Sequence, residues 1–305
     1  MIRPLFDRVV MATDLTSAWD EAVACGGELQ ELGCSRVILT HVLTPNLSGA
    51  PGEALPAEAA ARLAAQRRVL ADLGLEVIVE TPGGLPGFSL NQVARKYDAS
   101  LVLIGSHGRS RWREGVLGAF AAAVLHNSQF PLLVLPVRVE DDRPPSCLWR
   151  CTELLEHLLF PTDFSQTAAE ALCYLELLVP RGVSRVTLLH ALQTPPGTFA
   201  DPSATAEAKA VAQNFLDVLQ GRLEAAGVLE VKTRLSPGHP IAVILEVLRT
   251  TDISLIVLGT QGKGFIEEIY LGSVAHNISR FAPCPILLIP PTDRDSREEP
   301  PGMIP

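Results

Sequence analysis

Gly259, Gly262, Gly272 and Ser273 have the types and spacing of a loop built to hold an anion. The first two lie in Gly259-Thr260-Gln261-Gly262, directly after an apolar run. Gly272-Ser273 opens a second apolar stretch ten positions after Gly262. Glycines let a backbone approach its neighbours closely. A Gly-Ser at a helix start gathers unpaired N–H groups, the positive end of the helix dipole and a hydroxyl at one point. That combination suits a phosphate. Either half alone reads equally well as a tight turn or an ordinary helix start. The string is neither a Rossmann fingerprint, which would follow the first strand, nor a P-loop, because GxxxxGK[ST] does not occur.

Two further positions join this group. Pro161-Thr162-Asp163 follows an apolar run, and the Asp163 carboxylate can accept hydrogen bonds from a ribose or a base. A helix cap is the alternative for Asp163, although Ser165 is as well placed to cap. His190-Ala191 ends another run, where the Ala191 backbone can offer its N–H and C=O to an adenine edge. His190 reads as a packed strand residue.

Each of these pieces recurs earlier in the chain. Asp7–Thr16 answers Glu156–Ser165, and Arg36–Val42 answers Arg185–Ala191. Ser100–Gly108 answers Ser254–Gly262, and Pro131–Pro136 answers Pro285–Pro290. Four anchors in one order define a tandem repeat. The expected units are residues 1–138 and 156–291, with a charged, Pro-rich linker at 139–155 and a disordered tail at 292–305. A short helix is expected over Leu148–Leu155. In the first copy the weaker counterparts are Asp14, Val42, Gly105, Gly108 and Gly118. Ala119 stands where the second copy has Ser273, so the hydroxyl is lost. Arg109, Arg111, Trp112 and Arg113 make that loop bulkier and more basic.

The elements that position these residues follow from periodicity. Strand candidates are Arg8–Ala12, Arg36–Val42, Glu76–Glu80, Leu101–Gly105 and Leu132–Val137, then His157–Thr162, Arg185–Leu192, Glu230–Leu235, Leu255–Gly259 and Ile286–Pro290. Most are apolar on both faces, as in a parallel sheet covered by helices. Ala18, Ala22, Cys25, Leu29 and Leu32 form one apolar stripe at helical spacing, and Val211, Phe215, Val218, Leu219 and Leu223 form another. The expectation is an α/β chain of two tandem doubly wound, Rossmann-like or flavodoxin-like domains, each with a five-stranded parallel sheet. Ligands of such sheets bind at the carboxyl ends of the strands.

Composition narrows the partners. The 305 residues carry a formal net charge of −9 and are 47% hydrophobic. That balance argues against nucleic acid or an anionic membrane as the main partner. No apolar run is long enough to cross a bilayer, and Arg3 interrupts any signal-peptide core, so a cytoplasmic protein is expected. Of six cysteines, Cys25, Cys173 and Cys284 read as core residues. Cys147 and Cys151 read as unpaired linker thiols, with mutual pairing, metal binding or redox sensing as alternatives.

At these residues the chain resembles the universal stress protein family in its tandem form. That family's ATP-binding members carry G-2x-G-9x-G(S/T), which the second copy matches with Gly259, Gly262, Gly272 and Ser273. The first copy matches with Gly105, Gly108 and Gly118 but departs at Ala119. The resemblance implies ATP, with or without Mg²⁺, held by the glycine loop and Ser273 at its phosphates. It implies Pro161, Thr162, Asp163 and Ala191 at the nucleoside, with Gln261 and Val274 lining the site. It also implies pairing of the two copies through their last strands, and homodimers. The leading expectation is a nucleotide-dependent stress-response and signalling module rather than an enzyme, since no catalytic set accompanies the loop. A slow Mg²⁺-dependent ATPase and a scaffold that binds no nucleotide remain open.

Overall fold

A computed structural model describes residues 4–43, 55–106, 117–138, 146–147, 149, 153–193, 202–262 (side chains of the last segment from 206) and 271–291. In the first half the order is β1 (Arg8–Ala12), α1 (Ser17–Ala24), α2 (Gly26–Glu31), β2 (Arg36–Thr40), α3 (Ala57–Asp72), β3 (Glu76–Glu80), α4 (Pro86–Lys96), β4 (Leu101–Gly105), α5 (Ala119–Asn127) and β5 (Leu132–Leu135). A hairpin follows, β6 (Val137–Arg138) with β7 (Ser146–Cys147). The second half runs β8 (His157–Pro161), α6 (Gln166–Leu178), β9 (Arg185–Leu192), α7 (Pro202–Ala226), β10 (Glu230–Pro237), α8 (Pro240–Thr250), β11 (Leu255–Gly259), α9 (Ser273–Phe281) and β12 (Ile286–Ile289).

Each half is a doubly wound α/β unit. The strand order is β3-β2-β1-β4-β5 in the first and β10-β9-β8-β11-β12 in the second, parallel throughout. β12 lies antiparallel to β5 with Leu287 opposite Leu133, so both halves share one ten-stranded sheet. Strand residues alternate between two apolar layers. Val9, Met11, Leu101 and Leu103 enter the layer beneath α1, α2, α3, α6 and α7, while Val10, Ala12, Val102 and Ile104 enter the one beneath α4, α5, α8 and α9. Burial on both sides explains why these strands carry near-continuous Val, Ile and Leu.

Four details differ from expectation. The stripe from Ala18 to Leu32 is broken at Cys25, which separates α1 from α2. Cys25 is a core residue, 5% exposed, and is also disulfide-bonded, whereas Cys34, Cys147, Cys173 and Cys284 are in no disulfide. Cys173 is only half buried, and Cys151 lies outside the described residues. The buried face of α7 is Ala212, Leu216 and Leu223; Val211, Phe215 and Val218 are exposed, at 49%, 52% and 68%. The expected stripe holds at Leu223 and at Leu219, which packs on the core, and fails at Val211, Phe215 and Val218; Phe215 instead stacks on Phe164, ring centroids 5.1 Å apart.

The described part of the connector is docked and non-helical. Trp149 is 6% exposed within the core. The Cys147 and Leu154 N–H groups donate to Glu21 Oε2 (2.6 Å) and Glu28 Oε1 (2.8 Å), side chains of α1 and α2. Leu154 and Leu155 are buried. The polar, Pro-rich composition thus concealed an anchored segment. Among the described residues no helix is long and apolar enough to cross a membrane.

Candidate functional site

The chain passes outward through β8, β9 and β10, then crosses back to β11, so the strand order reverses beside β8. A cleft of about 720 Å³ opens there at the carboxyl ends of the strands. Ligand pockets commonly fall in this size range, and this is the position the topology favours. Pro161, Thr162, Asp163, Ala191, Gly259, Gln261, Gly262, Gly272, Ser273 and Val274 all line it. Residues from the ends of β8, β9 and β11 and the start of α9 thus meet on one surface.

Sequence reasoning missed its apolar floor. Leu189, Leu258, Leu271 and Ala275 line the cleft, as do Pro240 and Ile244 of α8. The signal for Pro240 was present, since proline starts helices, but nothing in the sequence shows toward which side that helix turns.

The β8 loop is set by local hydrogen bonds. Thr162 Oγ1 accepts from the Phe164 N–H (3.0 Å), and Asp163 Oδ1 accepts from the Ser165 N–H (3.0 Å). Phe164 takes φ 58°, a left-handed turn directly after Asp163 on the way from β8 into α6. Ser165 Oγ caps α6 by accepting from the Ala168 N–H at 3.2 Å, which leaves Asp163 free of that duty. His190 Nδ1 donates to the Thr162 carbonyl at 2.7 Å, and its ring stacks on Phe164. It is a structural brace between β8 and β9.

The motif glycines sit where a side chain would crowd its neighbours. None of Gly259, Gly262 and Gly272 has a positive φ. A Cβ on Gly262 would stand 2.6 Å from Asp163 Oδ2, and one on Gly259 would meet Thr167 Cγ2 at 2.8 Å and its carbonyl oxygen at 3.1 Å. A Cβ on Gly272 would press on the Thr260 carbonyl oxygen at 3.1 Å. The Gly272 N–H donates to that same oxygen at 2.7 Å, pinning the loop to the start of α9. Gly272 is the N-cap of α9, so the first-turn N–H groups at Ser273, Val274 and Ala275 lack intrahelical acceptors.

In the first half the same scaffold recurs with different details. His41 Nδ1 donates to the Thr13 carbonyl at 2.8 Å, and Leu15 takes φ 63°. Asp14 Oδ1 accepts from both the N–H and the hydroxyl of Thr16, at 2.9 and 2.7 Å. Thr16 has therefore turned its hydroxyl to Asp14 instead of capping α1. Val42 is buried, and Gly105 and Gly118 keep their places at the end of β4 and the N-cap of α5. Gly108, Arg109, Arg111, Trp112 and Arg113 lie outside the described residues.

One difference between the halves sits at the loop itself. Ser106 Oγ accepts from the Val137 N–H at 3.0 Å. Its counterpart Thr260 Oγ1 is buried with no hydrogen-bond partner among the described residues. The residue matching Val137 is Pro291, which has no N–H to give.

Two segments of the chain, residues 5–136 and 155–290, match the model of the universal stress protein family. The chain belongs to the universal stress protein family and holds two of its domains in tandem. It is similar to the protein SSP1056 of Staphylococcus saprophyticus, 42% identical over 82 residues that cover 25% of this chain and 49% of that one. It is 26% identical over 136 residues to a universal stress protein of Thermus aquaticus, covering 45% of this chain and 99% of that one. The chain spans about half the length of the first of these relatives. Among solved structures, a universal stress protein from Archaeoglobus fulgidus is similar over 93% of this chain and 98% of its own. The TM-score is 0.66 at 20% identity, a likeness of fold.

Proposed function

We propose that the second domain binds an adenine nucleotide, ATP with Mg²⁺, and that the protein acts as a cytoplasmic, nucleotide-dependent stress-response module. The observation that carries this reading is the start of α9. Gly272 and Ser273 present a first helical turn to the same cleft that Asp163 lines. Ser273 Oγ and the N–H groups of Ser273, Val274 and Ala275 would hold phosphate oxygens. Asp163 would accept from ribose hydroxyls, and the Ala191 backbone would meet the adenine edge over the floor of Leu189, Leu258 and Ile244. Mg²⁺ would neutralise charge on the phosphates. Pro161, Thr162, Gly259, Gln261 and Gly262 complete the walls.

Asp163 has two jobs here, since Gly262 must stay small to clear it. Gly262→Val therefore displaces Asp163 and should weaken ATP binding at least about tenfold, because a bulky Cβ at 2.6 Å forces the carboxylate aside. Isothermal titration of both forms reads this out. Unchanged affinity in Gly262→Val would sink the proposal.

The first domain is the weaker site in this account, because Ala119 offers no hydroxyl at the start of α5. Ala119→Ser should tighten nucleotide binding there by about 1 kcal/mol, the worth of one hydrogen bond. Domain limits at residues 1–138 and 156–291, joined by the 139–155 connector, belong to the same reading. With β5 and β12 already occupied by each other, a homodimer would have to use a different surface.

A further inference from the structure

α5 and α9 contribute to the same apolar layer on one face of the sheet that β5 and β12 join, and each brings one imidazole to the other. The rings of His126 and His276 have centroids 5.9 Å apart and planes inclined at 60°. Both are open to solvent, His126 exposed and His276 half buried. Neither ring makes a hydrogen bond among the described residues, whereas His41 and His190 spend Nδ1 on carbonyls and His157 Nε2 meets Thr187.

We propose that His126 and His276 bind one divalent transition-metal ion of the Zn²⁺ class across the seam, joining the two halves of the chain. The spacing supports it. A metal–nitrogen bond of about 2.0–2.1 Å puts each ring centroid about 3.2 Å from a shared ion. Two such rings stand about 5.2 Å apart at the tetrahedral angle and about 6.4 Å apart when opposed, and 5.9 Å falls between. Imidazole selects Zn²⁺, Ni²⁺ and Cu²⁺ over Mg²⁺, which prefers oxygen. A metal takes the neutral ring, so binding is read above the ordinary imidazole range. Water completes the coordination shell. Arg280, with its guanidinium over the Phe281 ring 5.1 Å away, is a cation on the same helix as His276 and limits affinity.

The test is titration of the full chain with ZnCl₂ at pH 7.5, free of nucleotide, so that failure of the ATP reading does not affect it. One ion per chain should bind, and His126→Ala and His276→Ala should each weaken it at least about tenfold. MgCl₂ should give no heat. No Zn²⁺ binding, or affinity unchanged in either variant, overturns the proposal. Cu²⁺ bound to the unmutated chain supplies a second readout that does not depend on variant folding. Its electron paramagnetic resonance spectrum should show two equivalent nitrogen ligands, and fewer than two would overturn the proposal.

Discussion

Thr260 shows how one residue can matter through what its neighbour lacks. Its hydroxyl is buried at 6% exposure beside the proposed phosphate loop, and Pro291 cannot supply the N–H that Val137 gives Ser106. A buried hydroxyl without a partner costs about 1–3 kcal/mol. Thr260→Val keeps the shape and removes the debt, so chemical denaturation should show stability raised by about 1 kcal/mol. A loss of that size would mean that the hydroxyl is engaged in solution. The motif positions themselves were legible in the sequence, and all ten residues expected in the second copy line one cleft. The Thr260–Pro291 relation was not, because it joins two loops that only the register of β11 against β12 brings together.

At the scale of elements, β8 begins at His157, packed beneath the sheet with Nε2 2.9 Å from Thr187 Oγ1. Burial, followed by the charge of Arg185, lowers its pKa below the ordinary value of 6.5. The unfolded chain then binds a proton that the folded chain refuses. Stability is therefore full above about pH 6.5 and falls as pH drops below it. Melting curves from pH 7.5 to 5.5 should decline, and His157→Gln should flatten that decline. An equally steep decline in the variant would assign it to other groups.

The disulfide at Cys25 is likewise an element-scale feature, fixed where α1 gives way to α2 against the buried Trp149. Spacing alone suggested a core thiol, because the sequence does not show which surface the connector meets. Dithiothreitol should lower stability by about 2–4 kcal/mol, and Cys25→Ser should abolish that response. Six free thiols in the unreduced protein would contradict it. Cys147 is a poor redox sensor by comparison. Burial, reinforced by Glu21, pushes its thiol up to about 11, so the reactive thiolate is scarce at neutral pH.

For the whole molecule, the repeat made the architecture legible early, since four paired segments fix both halves and their strand alternation. The phase of α7 was harder. Phe215 and Val218 have the spacing of a core stripe, yet the helix turns Leu216 and Leu223 inward and leaves those two in solvent. Hydrophobic periodicity locates a helix, whereas its rotation follows the burial of Ala212, Leu216 and Leu223, with Phe215 left to stack on Phe164 at the edge. Pairing of β5 with β12 then makes one sheet of two domains that differ at Ala119 and Ser273. The proposed difference in nucleotide binding between the two domains rests on that substitution.

Titration of the full chain with ATP and Mg²⁺ in a calorimeter, compared with Ser273→Ala, tests that claim most directly. The account predicts one stronger site, weakened by Ser273→Ala by about 1–2 kcal/mol, roughly five- to thirtyfold. No binding heat in the unmutated protein, or a stronger site indifferent to Ser273→Ala, would contradict it.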